Sequence, residues 1–370
     1  MSSYPRRRSR AVCVGSLTIG KDAPIRVQSM TNTDTLDREA TLRQVRELTA
    51  AGCEIIRITV PTPEAAQTIA YIKKEGILTP LVADIHFDYR AALAAIDAGA
   101  DKIRINPGNI GGKDRVKELA GAARSAGVPI RIGVNSGSLE RSLLEKYGAP
   151  TPEALVESAL YHASLLEEFA FSDIVISLKA SDVMTTIKAN RLLAEKCDYP
   201  IHIGVTEAGG ERSGLIKGAI GIGTLLAEGI GDTVRVSLTA DPLREVDAAY
   251  AILNAVGLSA RPALNIVSCP TCGRTRIPLI SLLGELEKAV DRAGLKDTPI
   301  TVALMGCAVN GPGEAREADV GIAGGDGDAL LFYKGKPAGK IPQNEIIPRL
   351  IAEISRFSSG REKQEKNNPA

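Results

Sequence analysis

The stretch Ala51-Gly52-Cys53-Glu54-Ile55-Ile56-Arg57-Ile58-Thr59-Val60 decides the fold. The residues before it, 37–51, repeat apolar side chains at Leu42, Val45 and Leu48, the spacing of one helix face. Gly52 supplies the stop, because glycine takes the left-handed conformation that ends helices. A short β-branched run follows, which reads as a strand of a buried parallel sheet. The same phrase, helix then glycine then strand, returns at Ala98-Gly99, Ala126-Gly127 and Glu228-Gly229. Working outward gives eight strands, at 26–30, 54–60, 81–87, 102–106, 130–135, 173–179, 201–206 and 233–238. Alternating strands and helices make right-handed βαβ units and a parallel sheet. Eight units in some 250 residues suit a (β/α)8 TIM-like barrel over 1–258. An open doubly wound sheet is the competing arrangement, but no Gly-x-Gly-x-x-Gly follows the first strand to support a dinucleotide site.

After Leu258 the rhythm changes. Residues 259–264 form a linker containing Arg261-Pro262. Strands are expected at 265–268, 300–305, 319–323 and 329–333, the last two flanking the turn Gly324-Gly325-Asp326-Gly327. Helices are expected at 279–293 and 343–357. This is a smaller α+β domain over 259–357, and the polar 358–370 reads as a disordered tail.

Composition excludes several classes. Lys and Arg number 45 against 44 Asp and Glu, so no global field draws the chain to nucleic acid or anionic lipid. The absence of Trp argues further against a single-strand-binding surface. No apolar run is long enough for a membrane span. The basic start (Arg6, Arg7, Arg8, Arg10) lacks the apolar segment of a secretory signal, so the cytoplasm is expected, with the six cysteines kept as thiols.

Four strands share an apolar–Arg–apolar triplet, centred on Arg57, Arg104, Arg131 and Arg235. A guanidinium in a buried strand needs an anion, and its planar fork suits phosphate. With Lys179 beside them, the arginines are expected to converge on a ligand carrying phosphates at the carboxyl-terminal mouth of the barrel. The plainer reading pairs each Arg with a neighbouring carboxylate. Asn106, Asn135 and Ser237 stand at strand ends near the same mouth. So do Asp84 and His86, whose role, catalytic or structural, stays open. Glu207 is either a general acid or a salt-bridge partner of one Arg.

Ser268-Cys269-Pro270-Thr271-Cys272-Gly273 is a Cys-x-x-Cys that by itself fits a redox dithiol, zinc or iron–sulfur. Cys307 follows in Met305-Gly306-Cys307-Ala308-Val309-Asn310-Gly311-Pro312-Gly313-Glu314. A closed zinc site needs four ligands, and no later Cys or His completes one. A cubane on three thiolates fits better, with Glu314 as candidate oxygen ligand to the fourth iron. A barrel lyase or transferase acting on a sugar phosphate, with a structural metal in its second domain, is the alternative.

Taken in order, these segments resemble the bacterial 4-hydroxy-3-methylbut-2-enyl diphosphate synthase family of the non-mevalonate isoprenoid pathway. The resemblance rests on Val27-Gln28-Ser29-Met30-Thr31-Asn32-Thr33, Ala83-Asp84-Ile85-His86-Phe87, Arg104-Ile105-Asn106-Pro107-Gly108-Asn109, Gly133-Val134-Asn135-Ser136-Gly137-Ser138, Val205-Thr206-Glu207-Ala208-Gly209 and the two cysteine segments. It implies a [4Fe–4S] cluster on Cys269, Cys272, Cys307 and Glu314, and diphosphate contacts from Arg57, Arg104, Arg131, Lys179 and Ser237, with Asn106 and Asn135 nearby and Arg235 a weaker carry-over. It implies 2-C-methyl-D-erythritol 2,4-cyclodiphosphate as substrate and a flavodoxin or ferredoxin as electron donor. A homodimer with composite active sites is also expected. Six linker residues reach about 20 Å, too short to carry the second domain round a barrel of about 30 Å to its own catalytic mouth.

Overall fold

A computed structural model of the chain describes residues 5–105, 111–308 and 311–367, without the side chains of Pro312, Glu314 and 360–367. It divides into two compact units, Met1–Ala260 and Arg261–Ala370.

The first unit opens with an antiparallel hairpin, β1 (Val12–Val14) and β2 (Leu17–Ile19). The barrel strands follow: β3 (Arg26–Met30), β4 (Ile55–Thr59), β5 (Leu81–Ile85), β6 (Lys102–Ile105), β7 (Ile130–Asn135), β8 (Ile174–Lys179), β9 (His202–Ile203) and β10 (Thr233–Val234). Every pairing between them is parallel, in the order β8-β7-β6-β5-β4-β3-β10-β9. A parallel bridge from Ile176 to Ile201 brings β9 back to β8 and closes the cylinder.

Side chains alternate along each strand. Ile56, Ile58, Ile103, Ile130 and Ile132 face outward into a core shared with the surrounding helices, which present Leu42, Val45, Leu48, Ile69 and Leu119. Each such fully buried side chain contributes about 1.5–3 kcal/mol. Asp37, Asp88, Thr151 and Asp182 cap their helices by accepting a backbone N–H from the first turn. The helix-ending glycines Gly52, Gly99 and Gly229 all have φ near +80°.

The hairpin was not anticipated from the sequence, although Val12, Val14 and Ile19 alternate about the Gly15-Ser16 turn. These three pack on Ile55, Val82 and Val175 at the amino-terminal end of the barrel and plug it. The last two strands are shorter than expected. A Cβ at Gly204 would stand 2.5 Å from the Arg235 carbonyl and 2.9 Å from Lys179 Nζ, so the chains close here through a contact only glycine permits.

The second unit is a five-stranded sheet of β11 (Asn265–Ser268), β12 (Thr301–Met305), β13 (Val320–Gly324), β14 (Asp328–Tyr333) and β15 (Lys336–Pro342) in that order. The first three are parallel and the last three antiparallel. Leu282, Leu286 and Val290 of the helix Leu279–Ala293, with Leu350 and Ile354, cover one face over Val302, Leu304 and Ile322. The polar edge strand β15 shows no apolar alternation and was missed. The last helix runs Ile346–Asn367 and so enters the segment expected to be a disordered tail. Arg361 to Lys366 are all strong helix formers, which extends the helix beyond the apolar residues that anchor it.

Candidate active site

Arg57, Asp84, Arg104, Arg131, Asn135, Lys179, Arg235 and Ser237 line one cavity of about 100 Å3, with His86, Gly133, Ser177 and Thr206. They come from seven of the barrel strands, β4 to β10, or the turns just beyond them, at the carboxyl-terminal mouth, where barrel enzymes place their chemistry. The expected convergence of arginines is therefore present. Asn106 lies outside the described residues. Ser177 and Thr206 were not singled out from the sequence, since lone hydroxyls in strands carry no signal of their own.

Both readings of the arginines hold, for different residues. Asp84 is 2% exposed. Its Oδ1 accepts from Arg104 Nη1 at 3.1 Å, and its Oδ2 faces Arg57 Nε and His86 Nε2, each at 3.7 Å. Burial pushes the Asp84 carboxyl up, but Arg57, Arg104, His86 and Arg131 together hold it at about 2. Burial lowers Arg57 to about 10 against the pull of Asp84. Gly133 makes room for this network: a Cβ there would meet Arg104 Nε at 2.6 Å.

Arg235 is held from behind by Glu245, whose two oxygens accept from Nε and Nη2 at 3.0 Å each. Glu245 also accepts from the Ser29 hydroxyl and the Leu238 N–H. It lies in the first turn of the helix Pro242–Ala255, and the sequence analysis did not single it out. Met30 Sδ accepts from Arg57 Nε at 3.0 Å and Nη2 at 2.8 Å.

Arg131 and Lys179 have no carboxylate within salt-bridge reach among the described residues. Arg131 is 1% exposed, and its Nε and Nη1 have no hydrogen-bond partner among the described residues. Burial, then the neighbouring arginines, push Lys179 well below its ordinary value. Among the described residues, the five cationic side chains that line the cavity are compensated by Asp84 and Glu245 alone. Buried charge in such excess calls for an anionic ligand.

Arg57 and Arg104 pair with Asp84 and Arg235 with Glu245, and Glu207 makes no ion pair among the described residues. Glu207 has φ +52°, an uncommon value for a non-glycine residue and one that concentrates at functional sites. Its Oε1 lies 3.9 Å from where a Cβ of Gly137 would stand, against the turn that follows Asn135.

In the second unit, Cys269 and Cys307 follow the adjacent parallel strands β11 and β12. The Gly306 N–H donates to Cys269 Sγ at 3.3 Å, and the Arg276 N–H donates to the Gly306 carbonyl at 2.8 Å, tying the two cysteine segments together. The Arg274 backbone N–H draws the Cys272 thiol below its ordinary value. Cys269 and Cys307 just beyond neighbouring strand ends, Cys272 in the loop after Cys269, and N–H donors on Cys269 and Cys272 fit thiolate ligands of a cluster. No group of three His, Cys, Asp or Glu side chains surrounds a single ion site among the described residues. The Glu314 side chain lies outside the described residues.

Comparisons with known proteins agree with this layout. Residues 9–250 match the family described as the GcpE TIM-barrel domain, and 265–356 match the GcpE protein C-terminal domain. A protein of Ruminiclostridium cellulolyticum named 4-hydroxy-3-methylbut-2-en-1-yl diphosphate synthase (flavodoxin) is 55% identical over 350 residues, covering 95% of this chain and 98% of the relative. A Geobacter sulfurreducens protein of the same name is 55% identical over 352 residues, with the same coverage. Among solved structures, a type I 3-dehydroquinate dehydratase from Clostridium difficile shares the barrel fold at a TM-score of 0.50 and 17% identity, over 67% of this chain and 98% of its own. With both units matched in order and identity sustained across almost the whole length, the chain belongs to the GcpE family.

Proposed function

We propose that the protein catalyses the two-electron reductive ring opening and dehydration of 2-C-methyl-D-erythritol 2,4-cyclodiphosphate to (E)-4-hydroxy-3-methylbut-2-enyl diphosphate. The observation that carries this reading is the cation excess in the barrel cavity, with Arg131 and Lys179 left free of carboxylates. A cavity of about 100 Å3 that is almost wholly polar suits the diphosphate end of a small molecule. Asp84 aims Arg104 and Arg57, and Glu245 aims Arg235, so the donors stand in place before the ligand arrives. As the ring C–O bond breaks, negative charge grows on the leaving phosphate oxygen, and pre-aimed cations stabilise that charge at no reorganisation cost. Asn135, Ser177, Thr206 and Ser237 supply neutral hydrogen bonds around the same ligand. Glu207 delivers the proton with which the substrate hydroxyl departs as water.

A [4Fe–4S] cluster on Cys269, Cys272, Cys307 and Glu314 supplies, when bound, the electrons that side chains lack. The names of the curated relatives support both the product and a flavodoxin donor, with ferredoxin the alternative. No helix is long and apolar enough to cross a membrane, and we place the enzyme in the cytoplasm. The test is turnover of the cyclodiphosphate by anaerobically purified protein with reduced flavodoxin, the product read by mass spectrometry. No product from protein with full iron and sulfide, given a competent donor, refutes the assignment.

We also propose a homodimer in which each cluster unit serves the partner's barrel, supported by the short linker. Mixing Arg131→Ala and Cys307→Ser chains under subunit exchange creates one site with both defects and one with neither. Activity then returns, approaching half of wild type per mixed dimer. If both stay inactive despite proven exchange, each cluster serves its own barrel.

A further inference from the structure

Beneath the arginines lies a lysine that the reaction as proposed does not use. Lys102 precedes Arg104 by two positions on β6, so both side chains enter the barrel. Lys102 is fully buried, and its Nζ has no hydrogen-bond partner among the described residues. Its neighbour in register on β5 is Val82, part of the apolar plug formed with the amino-terminal hairpin. The floor below it is therefore apolar.

The groups facing the barrel interior around and above it are mostly cationic. Arg104 shares its strand, Arg57 comes from β4, Arg131 from β7, Lys179 from β8 and His202 from β9. Asp84 on β5 is the carboxylate among them, and its two oxygens are already taken by Arg104, Arg57 and His86. Gln28 on β3 and His202 are also fully buried or nearly so, with unpartnered side-chain atoms in the same interior. An ammonium at Lys102 would be a buried charge without a counterion, ringed by like charges. Guanidinium groups keep their protons in proteins, so where buried cations crowd, a lysine is the group that gives way. Burial first, then Arg131 and Arg57, push Lys102 far below its ordinary value, and no carboxylate acts on it in the other direction.

We propose that Lys102 is the proton-accepting group of the anion site: an uncharged amine while the cavity is empty, it takes a proton from solvent onto its Nζ lone pair when a diphosphate enters above it. This rests on the diphosphate reading of the cavity. No bond to the ligand forms or breaks; the added negative charge is balanced by one added proton. Lys179 differs, because it lines the cavity and meets the ligand directly. Since the bound state holds one more proton, affinity for the anion rises as pH falls through the range in which free Lys102 is neutral.

The experiment is calorimetric titration of the full-length holoenzyme, kept from air, with inorganic diphosphate in buffers of different ionisation enthalpy. Their slope counts protons taken up on binding. Wild type takes up one proton more per diphosphate than Lys102→Met, the ligand's own proton exchange being common to both. Binding with equal proton counts in the two proteins overturns the role of Lys102 and leaves the cavity reading standing. No binding of diphosphate by wild type overturns the cavity reading, and the proposal with it. Should the methionine variant fold poorly, the Lys179→Arg protein labelled with 13C at lysine Cε decides instead, because Lys179 is the other lysine of the site pushed below its ordinary value. At mildly alkaline pH a neutral-amine signal is present in the free protein and moves to the ammonium position on adding diphosphate. If every lysine signal of the free protein is already that of an ammonium, the proposal is wrong.

Discussion

Asp84→Asn removes one charge from the centre of the site while keeping the side chain's shape. The carboxylate sits 3.1 Å from Arg104 Nη1 and 3.7 Å from Arg57 Nε, almost out of reach of water. Its carboxyl is held at about 2, against an ordinary 3.8, and burial works the other way. That lowering corresponds to about 2 kcal/mol, at about 1.4 kcal/mol per tenfold change in the equilibrium. Because the folded-state pKa is depressed, this stabilisation is present above the ordinary value and is lost as pH falls through about 2. A second route gives a similar size: removing one partner of a buried ion pair costs about 3–5 kcal/mol, since the other charge stays behind. For a unit of this size about 3 kcal/mol lowers the melting temperature by roughly 6–12 °C. Thermal unfolding followed by circular dichroism at neutral pH measures it. The difference between wild type and variant shrinks under acid as the wild-type carboxylate is protonated. Added inorganic diphosphate restores part of the loss by supplying the missing counterion. A variant that melts within about 2 °C of wild type, with no response to diphosphate beyond that of wild type, would refute Asp84 as the counterion of the cradle.

Arg104→Ala and Arg131→Ala each weaken binding of the cyclodiphosphate by about 2–5 kcal/mol, as for desolvated partners of a charged ligand, with iron content unchanged; affinities equal to wild type in both would end the cradle reading. Cys269→Ser, Cys272→Ser and Cys307→Ser each lose the visible absorbance and iron of the cluster, whereas Cys13→Ser and Cys197→Ser keep both; full iron in Cys307→Ser contradicts the ligand set. Glu207→Gln lowers kcat by about 100-fold or more while leaving substrate affinity near wild type, as for a proton donor that does not hold the anion; a loss confined to KM would make it a binding residue instead.

The sequence alone determined the barrel, because each strand–helix unit carries its own local signal. The period of Leu42, Val45 and Leu48, the stop at Gly52 and the β-branched run at 55–59 need no information from elsewhere in the chain. The three cysteines stand out for the same reason: their spacing and the lack of any Cys or His after Cys307 are facts of one dimension. The apolar–Arg–apolar triplets announced that the arginines converge on one cavity, since a charge in a buried strand is out of place without a partner. Only the tertiary structure decided which arginine serves which partner. Asp84 stands between Arg57 and Arg104 because β4, β5 and β6 lie side by side in register, and Glu245 reaches Arg235 from a helix ten residues further along the chain. The hairpin plug and the unpartnered Lys102 above it were likewise invisible in the sequence. A lysine at the start of a strand reads as a surface residue until the barrel closes, and its burial and like-charged surroundings arise from strands that the linear order keeps far apart.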